Sequence, residues 1–170
     1  GVLTFGDWKS GEVIKWSNKR YDYMSATEKV IYNERIEHAM DMVEKERTTF
    51  IVGNPAIYRM LLEANRKRSR DTSSMKRWLC TQGFLHQDLK EEVEMYLWPE
   101  GELYGSYALT EASPGVTVLK PWDKPREWGS IGRPYMCTEV RIVDEGDRDL
   151  PVGEAGEIIV RGPTVFKGYY

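Results

Sequence analysis

Apolar positions along this chain follow two periods, and the change between them sets its organisation. Residues 11–16, GEVIKW, have the apolar, β-rich composition of a short strand, closed by the polar residues 17–20. From Ser25 the spacing becomes helical. Ser25 and Glu28 form a capping box that satisfies backbone N–H groups at a helix start. Ile36, Ala39, Met40 and Val43 then recur on one stripe, so this helix turns one face to a core and its charged face to water. Residues 48–53, TTFIVG, predict a buried strand ended by Gly53. Asn54 as N-cap and Pro55 at the first helical position open a second helix, with Ile57, Met60, Leu61 and Ala64 inward. Residues 77–81, RWLCT, predict another strand, and residues 86–98 a third helix with Leu89, Val93, Tyr96 and Leu97 on one side. Pro99 and Gly101 end it, and residues 102–108, ELYGSYA, supply a further strand.

Strands alternating with helices predict an α/β fold, a mainly parallel sheet with flanking helices, through about residue 112. Beyond it the period is two. In CTEVRIVD, Val140 and Ile142 share one face and Glu139 and Arg141 the other; in GEIIVRG, Ile158 and Val160 point one way. Gly146, Pro151, Gly153 and Gly156 punctuate these strands with no helix between them, which predicts part of an antiparallel, barrel-like β subdomain. The expected division is an α/β part over residues 1–116 and a β-rich part over 117–170, both partial.

Composition narrows the function classes. With 170 residues, 41% apolar and 30% charged, the chain can bury a core, and its net charge of −3 gives no general attraction to nucleic acid or an anionic membrane. No apolar run approaches the roughly 20 residues of a membrane helix, so no transmembrane segment is expected. The start has neither the basic nor the apolar region of a signal peptide. Cys80 and Cys137 are far apart without metal-site spacing, which fits free thiols in a reducing, cytoplasmic compartment. Without an initiator Met, and stopping on FKGYY inside an apparent motif, the sequence is expected to be a piece of a longer chain.

Candidate chemistry is sparse. His38 and His86 have no Ser or Cys nucleophile in a recognisable elbow beside them. The basic run Arg66–Arg70 lacks interleaved aromatics and is expected to be a solvated loop after a helix. GSIGRP, residues 129–134, lacks the Lys-Ser/Thr of a phosphate loop and is expected to be a tight turn between β segments. GSYALTEASP, residues 105–114, leaves the last strand of the α/β sheet, where open sheets bind ligands beyond the carboxyl ends of their strands. There Tyr107 could stack on a base, Thr110 could bond a phosphate oxygen, and Glu111 could hold Mg²⁺; the alternative is a pair of exposed turn residues.

The context of that loop adds to the residues themselves. SYALTEASPG resembles the aromatic-Gly-x-Thr-Glu motif of the adenylate-forming (AMP-binding) superfamily, which includes acyl- and aryl-CoA synthetases, luciferases and peptide-synthetase adenylation domains. GEIIVRGPTVFKGYY, residues 156–170, resembles that family's downstream glycine-tyrosine motif, and residues 128–156 resemble the stretch connecting the two. DTSSMKRWL, residues 71–79, resembles the segment entering the strand before the adenine-side loop, so the likeness runs from about Asp71 to Tyr170.

The resemblance implies adenine stacking for Tyr107, AMP phosphate contact for Thr110 and Mg²⁺ contact for Glu111, with Gly83 and Phe84 on the adenine side. It also implies a carboxylic acid, ATP and coenzyme A as substrates, joined through an acyl-adenylate and then a thioester. Two positions depart from the pattern: Ala108 stands where the family usually has Gly, and Thr81-Gln82 where it often has paired glycines. Neither the upstream phosphate loop with its Lys nor the downstream ribose-binding Asp and catalytic Lys is among these residues. The central part of an acid:CoA ligase, inactive by itself and dependent on the rest of its parent chain, is therefore expected. The alternatives are a non-catalytic binding or scaffold module of the same shape, or a peptide-synthetase adenylation domain.

Overall fold

The computed structural model describes residues 4–6, 13–15, 25–112, 115–123 and 129–170, the first two stretches as backbone only. Ser113, Pro114 and Trp128 of the motifs above, and the ends of the GEVIKW strand, lie outside the described residues. Strands β1 (Thr4–Gly6) and β2 (Val13–Lys15) form an antiparallel pair, of which only β2 is expected from the sequence.

Helix α1 (Ala26–Lys45) starts at the Ser25–Glu28 capping box, where each residue's side chain accepts from the other's backbone N–H. Strand β3 (Phe50–Gly53) leads into α2 (Pro55–Lys67), whose first turn is closed by Asn54 Oδ1 accepting from the Ile57 N–H at 3.0 Å. Strand β4 (Arg77–Cys80), helix α3 (Gln87–Tyr96) and strand β5 (Glu102–Tyr107) follow, then a single 3₁₀ turn at Thr110–Ala112. Strands β6 (Thr117–Leu119) and β7 (Arg133–Pro134) return to the same sheet, and β8 (Glu139–Val143) pairs with β9 (Glu157–Arg161) in a separate antiparallel ladder.

The five-stranded sheet runs β3-β4-β5-β6-β7. The first three strands are parallel, and β6 and β7 are antiparallel additions. Both crossovers step the same way along the sheet, so right-handed connections put α2 and α3 on one face. That face carries Ile51, Trp78 and Leu103 in register, each buried. Tyr58, Trp78 and Trp98 meet beneath the helices with ring centroids 5.0 to 5.7 Å apart, and the Tyr58 hydroxyl donates to the Leu79 carbonyl at 2.5 Å. Aromatic contacts of this kind contribute about 0.5–1.5 kcal/mol per pair beyond burial.

Several sequence expectations change here. Strand β3 lies at the sheet edge, so Phe50 is exposed although Ile51 is buried. Helix α2 buries Tyr58 and Leu62 as well as Ile57, Leu61 and Ala64 of the expected stripe, with Met60 only half-buried, because it packs between α1 and α3 and against the sheet. Tyr96 is not part of the inward face of α3: its ring is exposed under the Arg66 guanidinium, 5.4 Å from the ring centroid, while Leu97 and Trp98 are buried. A ring at the rim keeps its hydroxyl in water at little cost. In β8 the buried residue is Val143, not Ile142.

The basic run is also not a solvated loop. Arg66 and Lys67 belong to the last turn of α2, where cations complement the helix dipole. Arg66 pairs with Glu92 at 2.9 Å, Arg68 pairs with Asp41, and the fully buried Arg70 side chain pairs with both Glu37 and Asp41. Three of these arginines therefore tie α2 and its exit to α1 and α3.

Candidate functional site

The C-terminal ends of β4 and β5 open into a cavity of about 410 Å³. Cys80 is the last residue of β4, and Gly105, Ser106 and Tyr107 close β5; all four line the cavity. Gly83, Phe84 and Leu85 form one wall after β4, and Gly129, Ser130 and Ile131 face them before β7. Leu103 and Leu119 make the lining mostly apolar. The expected residues Gly83, Phe84 and Tyr107 are thus brought together, with Ala108 beside them.

The loop after β5 is a short excursion, because β6 comes straight back along β5. Tyr107 pairs with Thr117, the Val116 N–H donates to the Tyr107 carbonyl at 2.9 Å, and the Ser106 hydroxyl donates to the Thr117 carbonyl at 3.0 Å. This tight return holds Thr110 and Glu111 in the 3₁₀ turn, outside the cavity lining but three and four positions beyond Tyr107. Thr110 is exposed, and Ala112 is buried and anchors the turn.

Glu111 is held from the far end of the chain. Its carbonyl accepts from the Phe166 N–H at 2.9 Å, and its Oε1 accepts from the Tyr169 hydroxyl at 2.6 Å. The phenol's hydrogen bond holds the Glu111 carboxyl below its ordinary range, with a further contribution from the residue's own N–H, and raises the Tyr169 hydroxyl in turn. Glu111 is therefore an anion at neutral pH. Among the described residues no three His, Cys, Asp or Glu side chains converge as a metal cage. A single carboxylate suits Mg²⁺, which is commonly held by one or two carboxylates together with substrate phosphates and water.

One departure from the family pattern, at Thr81-Gln82, has a structural consequence. Gln82 has φ 59°, the left-handed region that favours glycine, so the backbone there keeps a glycine-like turn with a larger side chain. Gly129 and Gly132 also have positive φ, which fits the expected tight turn at GSIGRP. Cys80 is buried against the cavity, and desolvation pushes its thiol up to about 12, so it is a packing residue at neutral pH. Sequence reasoning missed the walls made by Leu85, Leu103, Leu119 and Ile131, and it missed Tyr169 as the partner of Glu111. Only the glycine-tyrosine motif signalled that the last residues belong near this site.

Comparison with known proteins gives this arrangement its relatives. The family model described as AMP-binding enzyme matches residues 24–170. A feruloyl-CoA synthase from Amycolatopsis sp is 37% identical over 131 residues, covering 77% of this chain and 26% of that protein. An indoleacetate–CoA ligase from Aromatoleum aromaticum is 32% identical over 156 residues, covering 91% of this chain and 30% of that protein. Among solved structures, a long-chain-fatty-acid-CoA ligase from Archaeoglobus fulgidus superposes with a TM-score of 0.72 at 27% identity, covering 79% of this chain and 29% of that one. The O-succinylbenzoate coenzyme A synthetase of Bacillus subtilis, solved with ATP and magnesium ion, superposes with a TM-score of 0.67 at 25% identity, covering 79% of this chain and 27% of that one. The chain thus spans well under half the length of these proteins. It belongs to the AMP-binding enzyme family.

Proposed function

We propose that this chain supplies the nucleotide edge of an ATP-dependent carboxylic acid:CoA ligase. The observation that carries this reading is that the Thr110–Glu111 turn follows directly on Tyr107, which lines the carboxyl-end cavity together with Gly83 and Phe84. In this role Tyr107 stacks on adenine, Thr110 bonds the AMP phosphate, and Glu111 is the carboxylate that would hold Mg²⁺. Bound there, the ion would supply charge neutralisation, while the protein groups hold the reactants in line for attack of the carboxylate on the α-phosphate. Pyrophosphate leaves, and the thiol of coenzyme A then displaces AMP to give the thioester. The phosphate loop, ribose contact and catalytic Lys come from other parts of the parent chain, so these residues alone are expected to show no turnover.

ATP–pyrophosphate exchange by the whole enzyme, with a panel of fatty and aromatic acids, tests the reading. Exchange that depends on one class of acid, and that falls about 100-fold in Glu111→Gln, is the expected result. Undiminished exchange in Glu111→Gln removes Glu111 from the metal role. Nucleotide binding without exchange for any acid favours the non-catalytic module.

A further inference from the structure

Among the described residues, both hydrogen bonds that reach Glu111 from outside its own loop come from one short segment. The Phe166 N–H fixes the residue's backbone at 2.9 Å, and the Tyr169 hydroxyl fixes its carboxylate at 2.6 Å. The Phe166 and Tyr169 rings meet edge to face, with centroids 4.7 Å apart and planes at 76°, so the phenol is braced by the residue that grips the backbone. We propose that Tyr169 is a positioning residue, whose hydroxyl orients the Glu111 carboxylate toward a nucleotide-bound Mg²⁺. The proposal rests on Glu111 holding that ion.

The chemistry of the clamp favours this role over a surface strut. A glutamate on an exposed turn loses rotamer entropy when it is immobilised for a ligand. A preformed hydrogen bond settles part of that before the ion arrives. An Arg or Lys in the same place would orient the carboxylate and also neutralise it, weakening its hold on a cation. The phenol is neutral and donates a single hydrogen bond, so the negative charge stays available. Groups that orient metal ligands in this way typically change metal affinity or activity 10- to 100-fold when removed. Tyr169 is 74% exposed, so its hydroxyl contributes little packing.

Tyr169→Phe removes only the hydroxyl and keeps the ring against Phe166. In the whole enzyme, binding of Mn²⁺–ATP followed by electron paramagnetic resonance should weaken about 10-fold. The Mg²⁺ concentration needed for half-maximal rate should rise by a similar factor, with kcat at saturating Mg²⁺ changed less than two-fold and the melting temperature unchanged. In a Glu111→Gln background the same substitution should add nothing, because its effect passes through that carboxylate. Unchanged Mn²⁺–ATP affinity in Tyr169→Phe, with Glu111→Gln clearly weakened, overturns the positioning role and leaves Glu111 as the metal carboxylate. An equal loss from Tyr169→Phe in both backgrounds also overturns it. If Glu111→Gln itself leaves Mn²⁺–ATP binding unchanged, the metal role of Glu111 fails, and the positioning role fails with it.

Discussion

Replacing Gly132 by alanine is expected to cost about 4 kcal/mol of stability and to open the wall of the cavity. Two separate penalties combine there. Gly132 has φ 81°, a conformation that costs a residue bearing a Cβ about 1–2 kcal/mol. The added carbon would also overlap the Val118 carbonyl group and the Leu119 nitrogen. Both belong to the backbone of β6 and cannot rotate away, and overpacking of this kind typically costs 1–3 kcal/mol. The chain can relieve the overlap only by pulling β7 from β6, which breaks the Val118–Arg133 register and the 2.5 Å bond from the Thr117 hydroxyl to the Ile131 carbonyl. Gly129, Ser130 and Ile131, the wall facing Phe84, move with it. Gly153→Ala is the control. Its φ is 99°, but nothing lies within 4 Å of the added carbon, so only the backbone term of about 1–2 kcal/mol applies. Urea midpoints of the two variants should differ accordingly; equal losses would mean that the close approach to β6 contributes nothing.

Arg70→Ala is expected to cost about 3 kcal/mol. The guanidinium is fully buried and donates to the Asp41 carboxylate and to the Ala64 and Arg68 carbonyls, each at 2.9 Å, and to the Glu37 carboxylate. Breaking a buried ion pair typically costs 3–5 kcal/mol. The value here falls at the lower end, because Glu37 and Asp41 are 38% and 46% exposed and regain water when the arginine is gone. The carbonyls regain less. Arg70→Lys should recover only part of the loss, since an ammonium cannot span acceptors set around a planar fork. Denaturant midpoints check both variants, and full recovery by lysine would reduce the arrangement to a point charge.

These two residues mark where reading the sequence stops. Local chemistry is legible: the Ser25–Glu28 box, the Asn54–Pro55 start and the Gly53 strand end each act within a few residues, and each is found where expected. The parallel β3-β4-β5 order follows from the alternation of strands and helices. Strands β6 and β7 are three and two residues long, too short to show a period, and exist because β5 offers them an edge. Arg70 looks like one cation in a basic run because its partners, Glu37 and Asp41, lie a helix away. Glu111 and Tyr169 are 58 positions apart. Their meeting has no local signature, and the loop around Glu111 gained a chemical meaning in the sequence through its family context more than through Thr and Glu themselves.

The central claim is that this chain forms part of a site where a carboxylate attacks the α-phosphate of ATP. Incubating the whole enzyme with ATP, Mg²⁺, coenzyme A and its acid labelled with ¹⁸O in the carboxylate tests it most directly. Attack at the α-phosphate transfers one labelled oxygen to AMP when the thiol displaces it, so labelled AMP, unlabelled pyrophosphate and the thioester are the predicted products. Label in inorganic phosphate accompanied by ADP would place the attack at the γ-phosphate and contradict the account.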